Sequence, residues 1–272
     1  MAATLTAPGG APTVGSLLRD WRQRRRLSQL DVASEAAVSA RHLSFVETGR
    51  SRPSPELVMH LADHLDVPLR ERNTLLLAAG YAPRYPQTPL DASEMAPVRD
   101  ALDVILAGHQ PFPAIVVDRL WNLVTANDAA LTLLSDGLAP ELLEPPVNVV
   151  RASLHPDGMA PRIVNFGPWA THLVDRIRRE AEATGDPELA DLHAELCSYP
   201  GVAGSETVPD TVSRLFMPLV LRMADGSELS FFSTVATFGT ARDVTVEELS
   251  IESFFPADEE TAAFLRTLSP RG

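Results

Sequence analysis

The chain contains no lysine; all 23 of its basic residues are arginine. With abundant alanine and proline, that skew reads as the product of a GC-rich bacterial genome, not as a mechanism. A single cysteine, Cys197, excludes an internal disulfide and any metal site built on several thiolates. No apolar run approaches the roughly 20 residues a membrane-spanning helix needs. The opening residues lack the basic and apolar pattern of a secretion signal, so a cytoplasmic chain with no membrane partner is expected. There is no Gly-rich phosphate loop, no Gly-x-Ser-x-Gly elbow and no His-Glu-x-x-His helix, and no enzyme is expected. Thr240, Arg242 and Asp243 fall close together, but they fit a loop held by side-chain to backbone bonds at least as well as a catalytic group.

What is present is concentrated between Ser28 and Ser54, where two short helices meet across a tight turn. Ser28 can cap a helix with Val32, Ala33 and Ala36 inward and Asp31 and Glu35 outward. Ser39 can cap the next, in which Leu43 and Val46 face the core with Val38 while Ala40, Arg41, Ser44 and Phe45 face out. Gly49 suits the left-handed end of that helix, and Ser54-Pro55-Glu56 is a helix start. Arg22 can reach Glu47 as an internal ion pair. The pattern is a helix-turn-helix, and double-stranded DNA is the expected partner.

Charge locates the binding end. The formal net charge of -13 argues against nucleic acid for the chain as a whole. Residues 14–86, however, carry 11 arginines against 8 acids, and residues 87–272 carry 12 against 28. Long-range attraction to DNA is weak on this balance, so the run Arg22, Arg24, Arg25 and Arg26 with Arg50 and Arg52 has to supply a local footprint, and a dimer is expected.

These residues resemble the XRE family of phage-repressor-like DNA-binding domains across roughly residues 14–80. The resemblance implies an all-α, lambda-repressor-like bundle of five helices, placed near 14–24, 29–36, 40–48, 55–65 and 68–79. It carries Gln29 onto a phosphate or base contact, and Ala40, Arg41, Ser44 and Phe45, with the cap Ser39, onto the major-groove face. Arg41 is the best base reader, since its planar fork can bond guanine O6 and N7 together. Phe45 can touch a thymine methyl or lie half-buried, and Arg50 and Arg52 suit phosphates. Many members place glycine in the turn where this chain has Ala37, and a left-handed alanine there carries roughly 1 to 2 kcal/mol of strain.

Residues 1–13 read as a disordered tail, and residues 81–97, proline-rich and without helical period, as an extended linker. Residues 98–272 read as a second, α+β domain with its own core. A helix stripe of Val98, Leu102, Ile105 and Leu106 precedes two strand-like runs, 114–118 and 120–125, too close for anything but a hairpin. Asn127 can cap a helix to Leu134. Strands at 215–222 and 228–238 flank the hairpin signal Asp225-Gly226, a fifth strand covers 248–255 and a closing helix 258–268. Two helix faces, Trp169, Leu173 and Ile177, then Leu189, Leu192 and Leu196, fall between the hairpins. The outcome is a five-stranded antiparallel sheet with inserted helices.

That arrangement resembles a PAS-like sensor domain. The run from Arg41 to Arg50, the run from Pro111 to Trp121 with Asn127, and the run from Ser233 to Leu249 followed by Phe255-Pro-Ala-Asp258 are together similar to MmyB-like regulators. The resemblance implies a transcription factor whose PAS-like domain holds an apolar ligand, with fatty acids as the associated class and no other cofactor. From the residues themselves, Trp121, Phe166, Phe216 and Phe232 are candidates for an apolar lining, or else plain core. Arg151, His155 and Arg162 could meet a carboxylate head group, the arginines alternatively forming surface ion pairs. His155 with Asp157 is too few ligands for a metal site. The alternative is a second domain that serves only as a homodimer or protein-partner surface.

Overall fold

The computed structural model describes residues 12–135, 137–202 and 216–268. The chain divides into two compact units, one up to Pro86 together with Arg242–Val244, the other from Gln87 onward. Among the described residues no helix is long and apolar enough to cross a membrane.

The first unit consists of α1 (Val14–Arg24), α2 (Gln29–Glu35), α3 (Ala40–Glu47), α4 (Pro55–His64) and α5 (Leu69–Ala78). Three of these starts follow directly from sequence: Ser28, Ser39 and Ser54 each accept a backbone N–H as N-cap, as Thr13 does for α1, and Ser28 completes a capping box with Asp31. Leu18, Trp21, Val32, Leu43, Val46, Val58 and Leu61 form one buried cluster. Ala37 is indeed left-handed, at φ +50°, so the strained turn is real. Two contacts set the helix packing. A Cβ at Gly15 would lie 2.3 Å from the Val46 carbonyl oxygen, so α1 can cross the end of α3 only there. Glu47, almost wholly buried, receives Arg22 Nε and Nη2 at 2.7 and 2.8 Å and Gln29 Nε2 at 2.8 Å.

The second unit opens with α6 (Ala96–Gly108), then β1 (Ala114–Val117), β2 (Leu123–Ala126), α7 (Asp128–Ser135), α8 (Val149–Leu154), α9 (Phe166–Thr184) and α10 (Pro187–Cys197). It continues with β3 (Leu219–Arg222), β4 (Glu228–Thr237), α11 (Val244–Glu247), β5 (Ser250–Pro256) and α12 (Glu259–Leu268). The five strands form one antiparallel sheet in the order β2-β1-β5-β4-β3, so the two hairpins are joined through β5. Ile115, Val117, Leu219, Leu221, Leu229 and Phe231 line one face and share a core with α8, α9 and α10. Ala114, Val116 and Ile251 line the other and pack with Leu102 and Leu106 of α6. Asn127 caps α7, as its position implied, by accepting from Ala130 N, and the same oxygen accepts from Ala114 N while Nδ2 donates to the Phe112 carbonyl. One buried amide thereby ties the starts of β1 and α7 together.

The segment expected as a linker is fastened by specific side chains. Asn73 accepts from the backbone of Arg84 and Tyr85, and the Tyr81 hydroxyl donates to Pro53, so residues 81–85 are pinned to the first unit. Arg99 donates to the carbonyls of Leu90 and Ala92, and a short 3-10 turn, Ser93–Met95, leads into α6. Prolines marked the absence of helical period but not the side chains that would fasten the segment. Of the 1–13 tail, residues 1–11 lie outside the described residues, and Thr13 is an ordered cap. Leu215, the expected start of the third strand, also lies outside them.

Glu47 gives a stability test. Burial alone would push its carboxyl up, but hydrogen bonds from Arg22 and Gln29 and the charges of Arg22 and Arg19 outweigh that and hold it below its ordinary value of 4.5. A depressed folded-state value contributes stability that is complete above about 4.5 and is lost as pH falls through the folded value. Glu47→Gln leaves the Arg22 charge without its carboxylate and is expected to destabilise the first unit by about 3 kcal/mol in urea unfolding at pH 7. The difference from wild type should shrink as the pH is taken below 4.

Candidate DNA-reading helix and ligand cavity

In the first unit, α3 presents its outer face where a recognition helix would. Arg41 is exposed and lies over the Phe45 ring at 5.3 Å, with Arg50 on the same ring at 6.0 Å. Phe45 is half-buried, so the stacked arginines are held on a fixed platform and not on a free side chain. Ser44 is partly exposed beside them, and Ser39 is exposed at the helix start with its hydroxyl engaged as the cap. Three of the expected contact residues also bond or pack within the unit. Gln29 donates to Glu47, Ala40 packs against the core, and Arg52 donates Nε to the Ala79 carbonyl at 3.1 Å while its guanidinium stacks on Tyr81. The arginine run thins in the same way. Arg22 is taken by Glu47, and Arg25 donates to the Leu65 and Asp66 carbonyls. Sequence counts arginines; only packing shows which ones tie off helix ends.

In the second unit a cavity of about 80 Å³ lies between the inner sheet face and the helices. The sheet contributes Ile115, Leu219, Phe231, Glu252 and Phe254; α7, α8 and α9 contribute Ala130, Leu133, Val149, Val150, Ser153, Trp169 and Leu173. Trp121 closes one wall in a left-handed conformation, φ +65°, which is a genuine outlier for an aromatic residue. Its surroundings hold it there. Asp118 Oδ1 accepts from Leu120 N and Asn122 N, buried Asn148 donates to the Leu120 carbonyl, and Val149 N donates to the Trp121 carbonyl. Trp121 Nε1 donates to Glu180 at 2.9 Å, and the Arg176 guanidinium sits 4.2 Å over its ring while Nε donates to Glu180.

The ionisable element of the wall is Glu252, only 5% exposed. It accepts from Ser233 Oγ at 2.8 Å, and Arg176 Nη1 stands 3.6 Å away. Burial pushes its carboxyl above the ordinary range, with the Arg176 charge and the Ser233 hydroxyl opposing and Glu180 adding to the rise.

A family model for the MmyB-like transcription regulator ligand binding domain matches residues 98–268, and one for a helix-turn-helix domain matches residues 13–75. The chain belongs to the MmyB-like transcription regulators. It is therefore a transcription regulator with a helix-turn-helix for DNA and a ligand-binding domain for a small molecule. A comparison with curated proteins found no match. Among solved structures, the PAS domain of BvgS from Bordetella pertussis shows 18% identity over 63% of this chain and 94% of that one, with a TM-score of 0.27. An RNA-binding light-oxygen-voltage receptor shows 15% identity over 94% of this chain and 62% of that one, with a TM-score of 0.29. At these scores the overlap carries no argument, and the PAS-like fold of the MmyB-like domain rests on its own five-stranded antiparallel sheet.

Of the seven residues expected at the ligand in this MmyB-like domain, the cavity wall includes Trp121 and not the others. Arg151 is bonded to both oxygens of Glu195, which also accepts from Tyr199, and His155 packs its ring on Tyr199. The Arg151 hydrogen bond lowers the Glu195 pKa, whereas burial and Glu195 push Tyr199 up to about 12. Arg162 reaches toward the Leu133 carbonyl and the Met223 sulfur, and Phe166 packs at the core edge beside Gly201. Phe216 and Phe232 belong to an aromatic row, Phe216–Phe232–Phe255, away from the cavity wall. Alternation along β4 required that Phe231 and Phe232 take opposite faces but not which face was inner. Glu252 was missed because an acid in a predicted strand reads as solvent-facing; Phe254, two residues on and apolar, was the available signal.

Phe231→Ala should therefore lose about 3 to 5 kcal/mol of stability and Phe232→Ala about 1 to 2, measured by chemical denaturation. Arg52→Ala should lower the stability of the first unit by about 1 kcal/mol through its lost carbonyl contacts.

Proposed function

We propose that this MmyB-like regulator binds a two-half-site operator as a homodimer through α3 and changes its DNA affinity when an apolar small molecule enters the second unit's cavity. The observation that supports it most is the conjunction in one chain of an outward arginine pair braced on Phe45 with a cavity whose walls are apolar except for Ser153 and Glu252. Fatty acids, the class expected from the resemblance, fit those walls in their chains. Arg151, His155 and Arg162 do not line the space itself. The cavity is smaller than the few hundred Å³ usual for a ligand site, and on this reading a ligand moves the helices over the sheet outward as it enters. That movement is the means by which binding could be coupled to half-site spacing, which tolerates little change around 34 Å.

On this reading, Arg41→Ala relaxes sequence preference, reducing discrimination at one base pair by about 1 to 3 kcal/mol in competition gel shifts. Arg50→Ala weakens binding evenly across sequences and lowers its salt dependence. Sedimentation of the free chain, 29.4 kDa, should give twice that mass; a monomer at micromolar concentration contradicts the dimer. Leu173→Trp, which fills the cavity from α9, should abolish any thermal stabilisation by apolar ligands, since a ligand that binds only the folded state has to raise its melting temperature.

A further inference from the structure

We infer that Phe45 is a positioning residue for DNA reading: on a single ring it orients Arg41 toward a base edge and Arg50 toward a phosphate, and it does not itself touch a base. This rests on the reading of α3 proposed above and names what sets its specificity.

Two local devices bring both cations to the ring. Arg41 precedes Phe45 by four residues, about one helical turn, so the two side chains lie on the same face of α3. Arg50 follows Phe45 by five residues and would lie well round the axis if the helix ran on. Gly49, left-handed at φ +71°, turns the chain back instead, and the Phe45 carbonyl accepts from Arg50 N at 2.8 Å and from Ser51 N at 3.1 Å. The guanidiniums then stand 5.3 and 6.0 Å from the ring centre. Because the ring is half-buried, the surface that packing leaves uncovered is met by two cations and is not presented to a thymine methyl. Among the described residues neither guanidinium is paired with a carboxylate, in contrast to Arg22, so both keep their donors for DNA. An arginine reads guanine through both N7 and O6 only when its planar fork is correctly oriented. A long side chain free in solvent loses rotamer freedom when it is fixed in that orientation, and a ring that limits its motion beforehand reduces the loss.

The test uses the full chain and a duplex selected from a random pool by the wild-type protein, with single base-pair substitutions scored in competition gel shifts. Arg41→Ala identifies the base pair that this arginine reads. Phe45→Leu, apolar but without a π face, is expected to lower preference at that same base pair on the order of fivefold. Phe45→Tyr, which keeps the ring, should stay within about twofold of wild type. Melting temperatures of the variants are measured alongside, and Phe45→Met replaces the leucine variant if that one unfolds. A purely structural Phe45 would weaken all sequences evenly and leave the preference at each base pair unchanged, and that result overturns the assignment. Two other results overturn it by making Phe45 a base reader in its own right. One is a preference lost at a different base pair from that of Arg41; the other is a cost of replacing thymine by deoxyuridine that is present in wild type and absent in Phe45→Leu. In each of these outcomes the reading of α3 stands. No change at any base pair in Arg41→Ala overturns both.

Discussion

The DNA-reading unit depends on one buried ion pair. Glu47 is the last residue of the recognition helix, and Arg22 reaches it from α1 while Gln29 reaches it from the start of α2. Three helices are thus fixed to one carboxylate. A buried pair of this kind is weak evidence for net stability, because desolvating both charges offsets much of their attraction, but it is demanding in geometry. Rotating α3 by a fraction of a turn would leave a naked charge inside. The exposed face carrying Arg41, Ser44 and Arg50 is oriented by what happens on the opposite side of the same helix. Gly15 serves the same end by letting the α1 backbone approach the Val46 carbonyl.

The second unit buries a glutamate with the opposite consequence. Glu252 has a serine and a shared arginine, and its carboxyl moves up where that of Glu47 moves down. The difference lies in how completely the partners close around the oxygens. The carboxylate of Glu47 is enclosed by its partners; that of Glu252 stands in the wall of a cavity. Strain is located beside it, in Trp121, and the hydrogen bonds that Asp118 accepts and that Asn148 and Val149 donate show that the surrounding loop over-determines that conformation. The tryptophan connects the cavity wall to Arg176 and Glu180 on α9 and, through the adjoining backbone, to the start of α8, so displacement of its ring would be felt by both helices.

Much of this was legible in the chain because it is local. Caps such as Ser28, Ser39 and Ser54 act within three residues of themselves, the hydrophobic period of α3 places Leu43 and Val46 inward, and the Asp225-Gly226 turn forces a hairpin. Asn127 was readable as a cap for the same reason, though its second role at β1 was not. The interior of the ligand domain was harder to read. An arginine in sequence is equally compatible with a phosphate, a carboxylate ligand or a helix end, and Arg52, Arg151 and Arg162 all turned out to hold protein groups.

The sequence by itself determined the two-unit organisation, the helix-turn-helix, the strand inventory and the Arg22–Glu47 pair, since each is set by periodicity, capping or turn chemistry over short stretches. Only the tertiary structure decided which face of β4 is inner, which arginines remain at the surface, and that an acid stands in the wall of the cavity. Those outcomes depend on how strands distant in sequence pair and on which helix covers them. A side chain's environment is a property of its neighbours in space, and β5 acquires those neighbours from β1, β4 and α9.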